Sequence, residues 1–300
     1  MSGRDPFAKF RAQLADLGFR PSSVLGQNFL LDPSLHRVIA EAAAPGPDDL
    51  VLEIGVGLGF LTRELVQRAR HVIGVEIDAR LLQVAAAELS GCSNLALLHA
   101  DVLGGEGATL HPRVLAALHA AAGARPFLVV ANLPYATSGP LLAALCQGPE
   151  LPLRVVVLLQ RELAQRLAAA PGSKEYGSLA ALVQSLFTVR LLREVSPQVF
   201  RPRPKVVSAL LRLDLRADTA ARGLSAAKAR SSLAVFLRVL FQQRRKTLRV
   251  TLPAAILAIG GRDAALPAAA GRRAEALSPA ELLALWQGCA KDLATPPGAP

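Results

Sequence analysis

Apolar residues along this chain fall into two alternating rhythms. Residues 34–44, "SLHRVIAEAAA", repeat at helical spacing. Asp32-Pro33 supplies their start signal and Pro45-Gly46-Pro47 their stop. Short unbroken apolar runs then trade places with helical patterns. "LVLEIGV" reads as a strand, "FLTRELVQRA" as a helix, "HVIGVEI" as a strand, "ARLLQVAAAEL" as a helix and "LALLHA" as a strand. A helix over about 112–122 leads to the strand "PFLVVAN", the helix "SGPLLAALCQ", the strand "LRVVVLLQ" and the helix "RELAQRLAA". Strand and helix in strict alternation predict an α/β fold with a parallel sheet. Strands without a polar alternation predict a sheet covered on both faces. The rhythm changes late. "VRLLREV" and "KVVSALLRLDL" are strands joined by the loop "SPQVFRPRPK", with no crossover helix, so one of them is expected to run antiparallel.

A polar stretch, "RADTAARGLS" (216–225), marks a boundary. Beyond it "AKARSSLAVFLRVLFQQRRKTLRVTL", "AAILAIG" and "PAELLALWQGCA" are helical. The expected organisation is therefore an α/β domain over 1–216, a small all-α domain over 217–293 and a disordered tail over 294–300. Residues 104–112, "GGEGATLHP", read as a mobile loop. No apolar run is long enough for a membrane span, and the N-terminus lacks the apolar core of a secretory signal. Three distant cysteines with no C-x-x-C give no zinc site and no disulfide framework, and suggest a reducing, cytoplasmic compartment.

Charge narrows the partner class. The net charge is +11. From Arg216 onward there are 13 bases against 5 acids, so the last third carries +8 of that excess. A clustered basic excess is the footprint expected of nucleic-acid binding.

The chemistry concentrates at strand ends. "VLEIGVGLGFLTREL" is a strand, a glycine turn and a helix. Gly55, Gly57 and Gly59 alternate after Glu53, and Phe60 stands where a dinucleotide fingerprint has its third glycine. That disfavours a pyrophosphate and resembles the first motif of S-adenosylmethionine (SAM) binding proteins. Glu76 ends the second strand, near the roughly 20-residue spacing at which an acid meets ribose hydroxyls. Asp101 follows the third strand, where a carboxylate can accept from an adenine amino group. Open α/β sheets bind ligands at this carboxyl edge.

"VVANLPY" ends the fourth strand at the same edge. An exocyclic adenine amine is a weak nucleophile because its lone pair is delocalised into the ring. Acceptors on its hydrogens localise that pair, and the Asn132 side-chain oxygen and Leu133 carbonyl are candidates. Pro134 removes a competing N–H and stiffens the turn. The Tyr135 ring can stack on a base, a contact worth about 1–3 kcal/mol. As a bare tetrapeptide the same residues also suit an ordinary turn.

Asn-Leu-Pro-Tyr matches the signature of amino-group methyltransferases acting on RNA adenines. With "LGQNFLLD", "EIGVGLGFLT", "VEID", "SKEYGSLA", "FRPRPKVVSALLRL" and "FQQRRKTLR" in order, the chain resembles the small-subunit ribosomal RNA adenine N6,N6-dimethyltransferase family from about residue 20 to 290. The resemblance implies a Rossmann-like SAM methyltransferase sheet, mostly parallel with one late antiparallel strand. It implies SAM as cofactor, with Asn28 and Leu30 closing over it, Gly55 and Gly57 against it, Glu76 on its ribose and Asp101 on its adenine. Asn132 would bridge cofactor and target amine, and Phe200 would offer a second stacking face to a flipped base. Arg244, Arg245, Lys246 and Arg249, read as one helix, would contact RNA phosphates. The implied reaction is dimethylation of two adjacent adenines near the 3′ end of 16S ribosomal RNA. It would act on a pre-30S particle, as a monomer, with no metal and no membrane. Two rivals stay open: a large-subunit adenine methyltransferase conferring macrolide resistance, and a non-catalytic nucleic-acid-binding assembly or transcription factor. The chain departs from family habit at Val56 (usually proline), Ala136 (often asparagine), Val207 (usually aspartate) and Ser23-Val24, where a base is common.

Overall fold

The computed structural model describes residues 15, 17–18, 27–104, 109–122, 126–261 and 267–291. The chain divides into two compact units. The first comprises 1–145, 150–164 and 190–214, and the second 146–149, 165–189 and 215–300. Residues 165–189 thus group with the C-terminal helices, which a single cut near 216 does not anticipate. Ser23-Val24, where the family commonly has a base, and the tail over 294–300 lie outside the described residues.

The first unit is built on a sheet in which β2 (Leu50–Ile54), β3 (His71–Glu76), β4 (Leu95–His99), β5 (Phe127–Asn132) and β6 (Arg154–Gln160) are parallel. With β7 (Phe187–Val195) and β9 (Ser208–Leu215), the strand order is β4-β3-β2-β5-β6-β9-β7. The antiparallel strand is β9, which sets Gln160 opposite Ser208 and Arg154 opposite Asp214. Its N-terminal end therefore lies at the carboxyl edge of the parallel strands, where the candidate chemistry is expected.

Helices alternate with the strands as the periodicity predicts: α1 (Pro33–Ala43), α2 (Phe60–Val66), α3 (Ala79–Glu88), α4 (Pro112–Ala122), α5 (Tyr135–Gln147) and α6 (Arg161–Leu167). Two of them start on capping aspartates. Asp32 accepts from Ser34 N at 2.9 Å and Asp78 from Arg80 N at 3.0 Å, satisfying N–H groups that the first turn leaves orphaned. Val51, Val72, Val130, Val156 and Leu158 bury one sheet face against Leu35, Ile39 and Leu65. A two-residue strand β1 (Phe29–Leu30) pairs antiparallel with β8 (Phe200–Arg201), a pairing too short for the hydrophobic pattern to reveal.

The second unit contains α7 (Ser178–Leu186), α8 (Ala227–Gln242), α9 (Leu248–Ala258) and α10 (Pro279–Lys291). Its core includes Phe236, Leu237, Leu240, Leu248, Leu252 and Leu282. Arg230 is 1% exposed. Its guanidinium donates to the carbonyls of Cys146, Gly148, Pro149, Leu224 and Ser225, which satisfies a buried charge with backbone dipoles instead of a carboxylate. Arg244, Arg245 and Lys246 do not lie on a helix but in the turn after α8, and only Arg249 is helical, in the first turn of α9. The apolar repeat of α8 ends at Phe241 and resumes only at Leu248, so nothing holds the intervening polar run on a helix. The turn is instead pinned by Leu248 N donating to Arg272 O at 2.8 Å.

Candidate active site

The site lies entirely within the first unit, at the carboxyl edge of β2, β3, β4 and β5. A cavity of about 240 Å³ opens there, and Asn28, Leu30, Gly55, Gly57, Glu76, Asp101, Asn132, Leu133, Pro134, Tyr135 and Phe200 all border it. The structure therefore brings every expected cofactor and catalytic residue to one place.

The glycine turn is made by backbone that side chains resist. Gly55, Gly57 and Gly59 have φ of +79°, +57° and +78°. At Gly59 a Cβ would also lie 2.8 Å from the Leu89 side chain. This turn delivers Gly57 N to Glu76, whose Oε2 accepts it at 2.9 Å. Glu76 Oε1 accepts from Ile77 N at 2.9 Å and Asp78 N at 3.0 Å. The carboxylate is thus a rigid staple between the turn and the start of α3. Burial pushes its pKa upward, and the three N–H bonds only partly offset that.

Asp101 sits in a different environment. It is exposed, and its Oδ1 accepts from Leu103 N at 2.9 Å. The two acids expected to share a ligand therefore differ sharply in solvation.

Asn132 closes β5. Its Nδ2 donates to Asn28 O at 3.2 Å, which turns Oδ1 away from that contact as an acceptor. Asn28 precedes β1, and Leu31 N donates to Val199 O at 3.0 Å, so the small β1–β8 sheet fixes the carbonyl that orients the amide. Leu133 N donates to Leu158 O at 2.9 Å. Pro134 O takes Thr137 N, Thr137 Oγ1 and Ser138 Oγ, which starts α5. Among the described residues no donor meets the Leu133 carbonyl. Tyr135 is half-buried, and its hydroxyl shares a 2.8 Å hydrogen bond with Ser208 Oγ. Phe200 borders the cavity but is 1% exposed and packs among Leu30, Leu35, Ile39 and Leu210, so it presents no open ring face.

Sequence reasoning passes over three groups. Glu53 enters it only as the acid before the glycines. It is fully buried, with Thr62 as its polar neighbour. Burial pushes the Glu53 carboxyl up to about 8; hydrogen bonding by Thr62 offsets that in part and the charge of Glu76 reinforces it. His36 stacks on Phe60 at 5.6 Å, and both border the cavity. Burial pushes the His36 imidazole down to about 4, so it is a neutral wall. Ser208 is the third, and it carries no signal beyond its place in a quoted motif.

The basic residues of the second unit are unequal. Arg245, Lys246 and Arg249 are exposed. Arg244 is partly buried, and its guanidinium donates to Glu275 Oε2 at 3.0 Å and to Tyr176 O at 2.9 Å. Among the described residues no cluster of three or more His, Cys, Asp or Glu is arranged to hold a metal. No helix of the described residues is long and apolar enough to cross a membrane.

Sheet order, glycine turn and strand-end acids together define a Rossmann-like methyltransferase. Residues 18–267 match the model of the ribosomal RNA adenine dimethylase family, and the chain belongs to that family, an rRNA methyltransferase of SAM-dependent kind and fold. It is 42% identical over 289 residues to the ribosomal RNA small subunit methyltransferase A of Anaeromyxobacter sp. (strain K), covering 94% of this chain and 98% of the relative. The protein of that name from Geobacillus thermodenitrificans (strain NG80-2) is 42% identical over 236 residues, covering 78% and 77%. Among solved structures, a dimethyladenosine transferase from Plasmodium falciparum superposes with a TM-score of 0.69 at 24% identity, over 87% of this chain and 97% of that one. The 23S rRNA methyltransferase ErmE gives 0.57 at 27% identity, over 87% and 99%.

Proposed function

We propose that this protein transfers methyl groups from SAM to N6 of two adjacent adenines near the 3′ end of 16S ribosomal RNA, two per adenine. It does so in the cytoplasm, as a monomer, on a pre-30S particle. The observation that carries the reading is the Asn132 amide, oriented by the Asn28 carbonyl inside a cavity that Glu76 and Asp101 also border. The relatives named as small-subunit methyltransferases lend the choice of subunit.

The residues fit SAM. A cationic ligand suits a cavity bordered by two acidic side chains, Glu76 and Asp101. A backbone turn free of side chains at Gly55 and Gly57 suits close approach of a ligand. Glu76 would hold the ribose through Oε2, the oxygen that carries only one backbone bond. Asp101 would hold the adenine, and Asn28 and Leu30 would cover the site.

When bound, SAM supplies an electrophilic methyl on a sulfonium. The chain's own part is alignment. Asn132 Oδ1 and the Leu133 carbonyl accept from the target amine and localise its lone pair. Tyr135 stacks on the base and fixes the plane in which that pair points, holding donor and acceptor near 3 Å, the order of separation at which such transfers proceed. With so good a leaving group the amine needs no general base, and its proton leaves to solvent after transfer. Arg245, Lys246 and Arg249 bind RNA phosphates.

Incubation of the purified protein with labelled SAM and either isolated small subunits or bare large-subunit RNA tests the reading. Label should enter the small subunits. Label in large-subunit RNA alone would move the protein to the resistance-type activity.

A further inference from the structure

We propose that Ser208 is a positioning residue for methyl transfer: its hydroxyl holds the Tyr135 ring at the angle a stacked adenine requires. The inference rests on Tyr135 being the stacking residue of the proposed function. Ser208 is fully buried and is the first residue of β9, the antiparallel strand. Because β9 reverses direction, that first residue arrives at the carboxyl edge, level with Gln160 at the end of β6. Tyr135 is the first residue of α5, three residues past the end of β5. The 2.8 Å bond between the two hydroxyls spans 73 positions of sequence and is the one hydrogen bond described for either side chain.

The physical need is specific. A half-buried tyrosine at a helix start still has more than one staggered rotamer open to it, and fixing its far end selects one. Backbone hydrogen bonds around Pro134 fix the main chain of this turn but leave the ring untouched. A buried serine within reach of the phenol supplies the missing restraint, and burial strengthens the bond because no water competes for it. Ser208 touches neither cofactor nor base in this scheme, so it acts only through Tyr135.

Loss of one neutral hydrogen bond predicts a fall in kcat of about 2- to 10-fold in Ser208→Ala, with the KM for SAM unchanged and the melting temperature lowered by no more than about 2–4 °C. Tyr135→Phe removes the same bond from the other side and adds no volume, so it should show the same fall. The double variant should be no slower than either single one. Each protein is assayed on small subunits and on large-subunit RNA, and compared on whichever the wild type methylates. Wild-type activity confined to large-subunit RNA would overturn the substrate reading and still test Ser208. An inactive Tyr135→Ala beside a fully active Ser208→Ala would overturn the Ser208 role alone. Additive losses in the double variant would also overturn it, since they would mean that Ser208 supports the fold by another route.

Discussion

At the scale of single residues, two cavity side chains are oriented by their neighbours in space. Asn132 Nδ2 donates to Asn28 O, which leaves Oδ1 as the free acceptor end in the proposed reading. Asn132→Ala should cut methyl transfer by about 100-fold or more while SAM still binds, since only alignment of the amine is lost. Calorimetry beside a turnover assay separates the two, and near-normal turnover would remove Asn132 from the mechanism. Glu76 borders the cavity and accepts from three backbone N–H groups. Glu76→Ala should weaken SAM binding by about 10- to 100-fold, as expected for loss of charge-assisted bonds. Glu53 gives a pH test. Its folded pKa of about 8 lies above the ordinary 4.5, so between these values the folded protein binds the extra proton. Its favourable contribution is complete below about pH 4.5 and lost as pH rises through about 8. Glu53→Gln keeps the shape without the proton. The variant's urea midpoint should gain on the wild type between about pH 5 and pH 8 and then run parallel to it. Parallel curves throughout would mean that Glu53 is ionised in the fold. Glu76, Asp101 and Asn132 are legible in the sequence because strand-end polar residues stand out against apolar runs. Ser208 and the burial of Glu53 are not, because both depend on which strands become neighbours.

At the scale of elements, the alternation of strands and helices carries most of the fold, and the capping aspartate Asp32 marks its helix start correctly. The hydrophobic pattern fails where elements are short or tertiary in origin. The two-residue pair β1–β8 has no period to read. The basic turn between α8 and α9 passes for helix because residues of good helix propensity fill it, whereas bonds to Arg272 and Glu275 decide its path. The glycine turn offers the clearest stability test. Gly59→Ala combines a left-handed backbone with a Cβ 2.8 Å from Leu89, so it should destabilise by at least about 1–2 kcal/mol in urea unfolding. Gly57→Ala meets only Phe29 at 3.7 Å and should cost less. Equal stability of the two variants would contradict this account of the turn.

At the scale of the whole molecule, a net charge of +11 weighted to the C-terminal third points toward a polyanion before any site is located. The structure divides that excess by role. Arg230 and Arg244 are held by the protein itself, while Arg245, Lys246 and Arg249 are exposed. Replacing the exposed three by alanine should flatten the salt dependence of RNA binding, by about 0.7–0.9 in slope for each phosphate no longer neutralised. Arg244→Ala should instead lower the melting temperature. The central claim concerns which nucleotides receive the methyls, and mass spectrometry of ribosomal RNA from cells with and without this gene tests it most directly. The account predicts two adjacent N6,N6-dimethyladenines near the 3′ end of small-subunit RNA only where the gene is present. Identical methylation of that segment in both, or a change confined to large-subunit RNA, would contradict it.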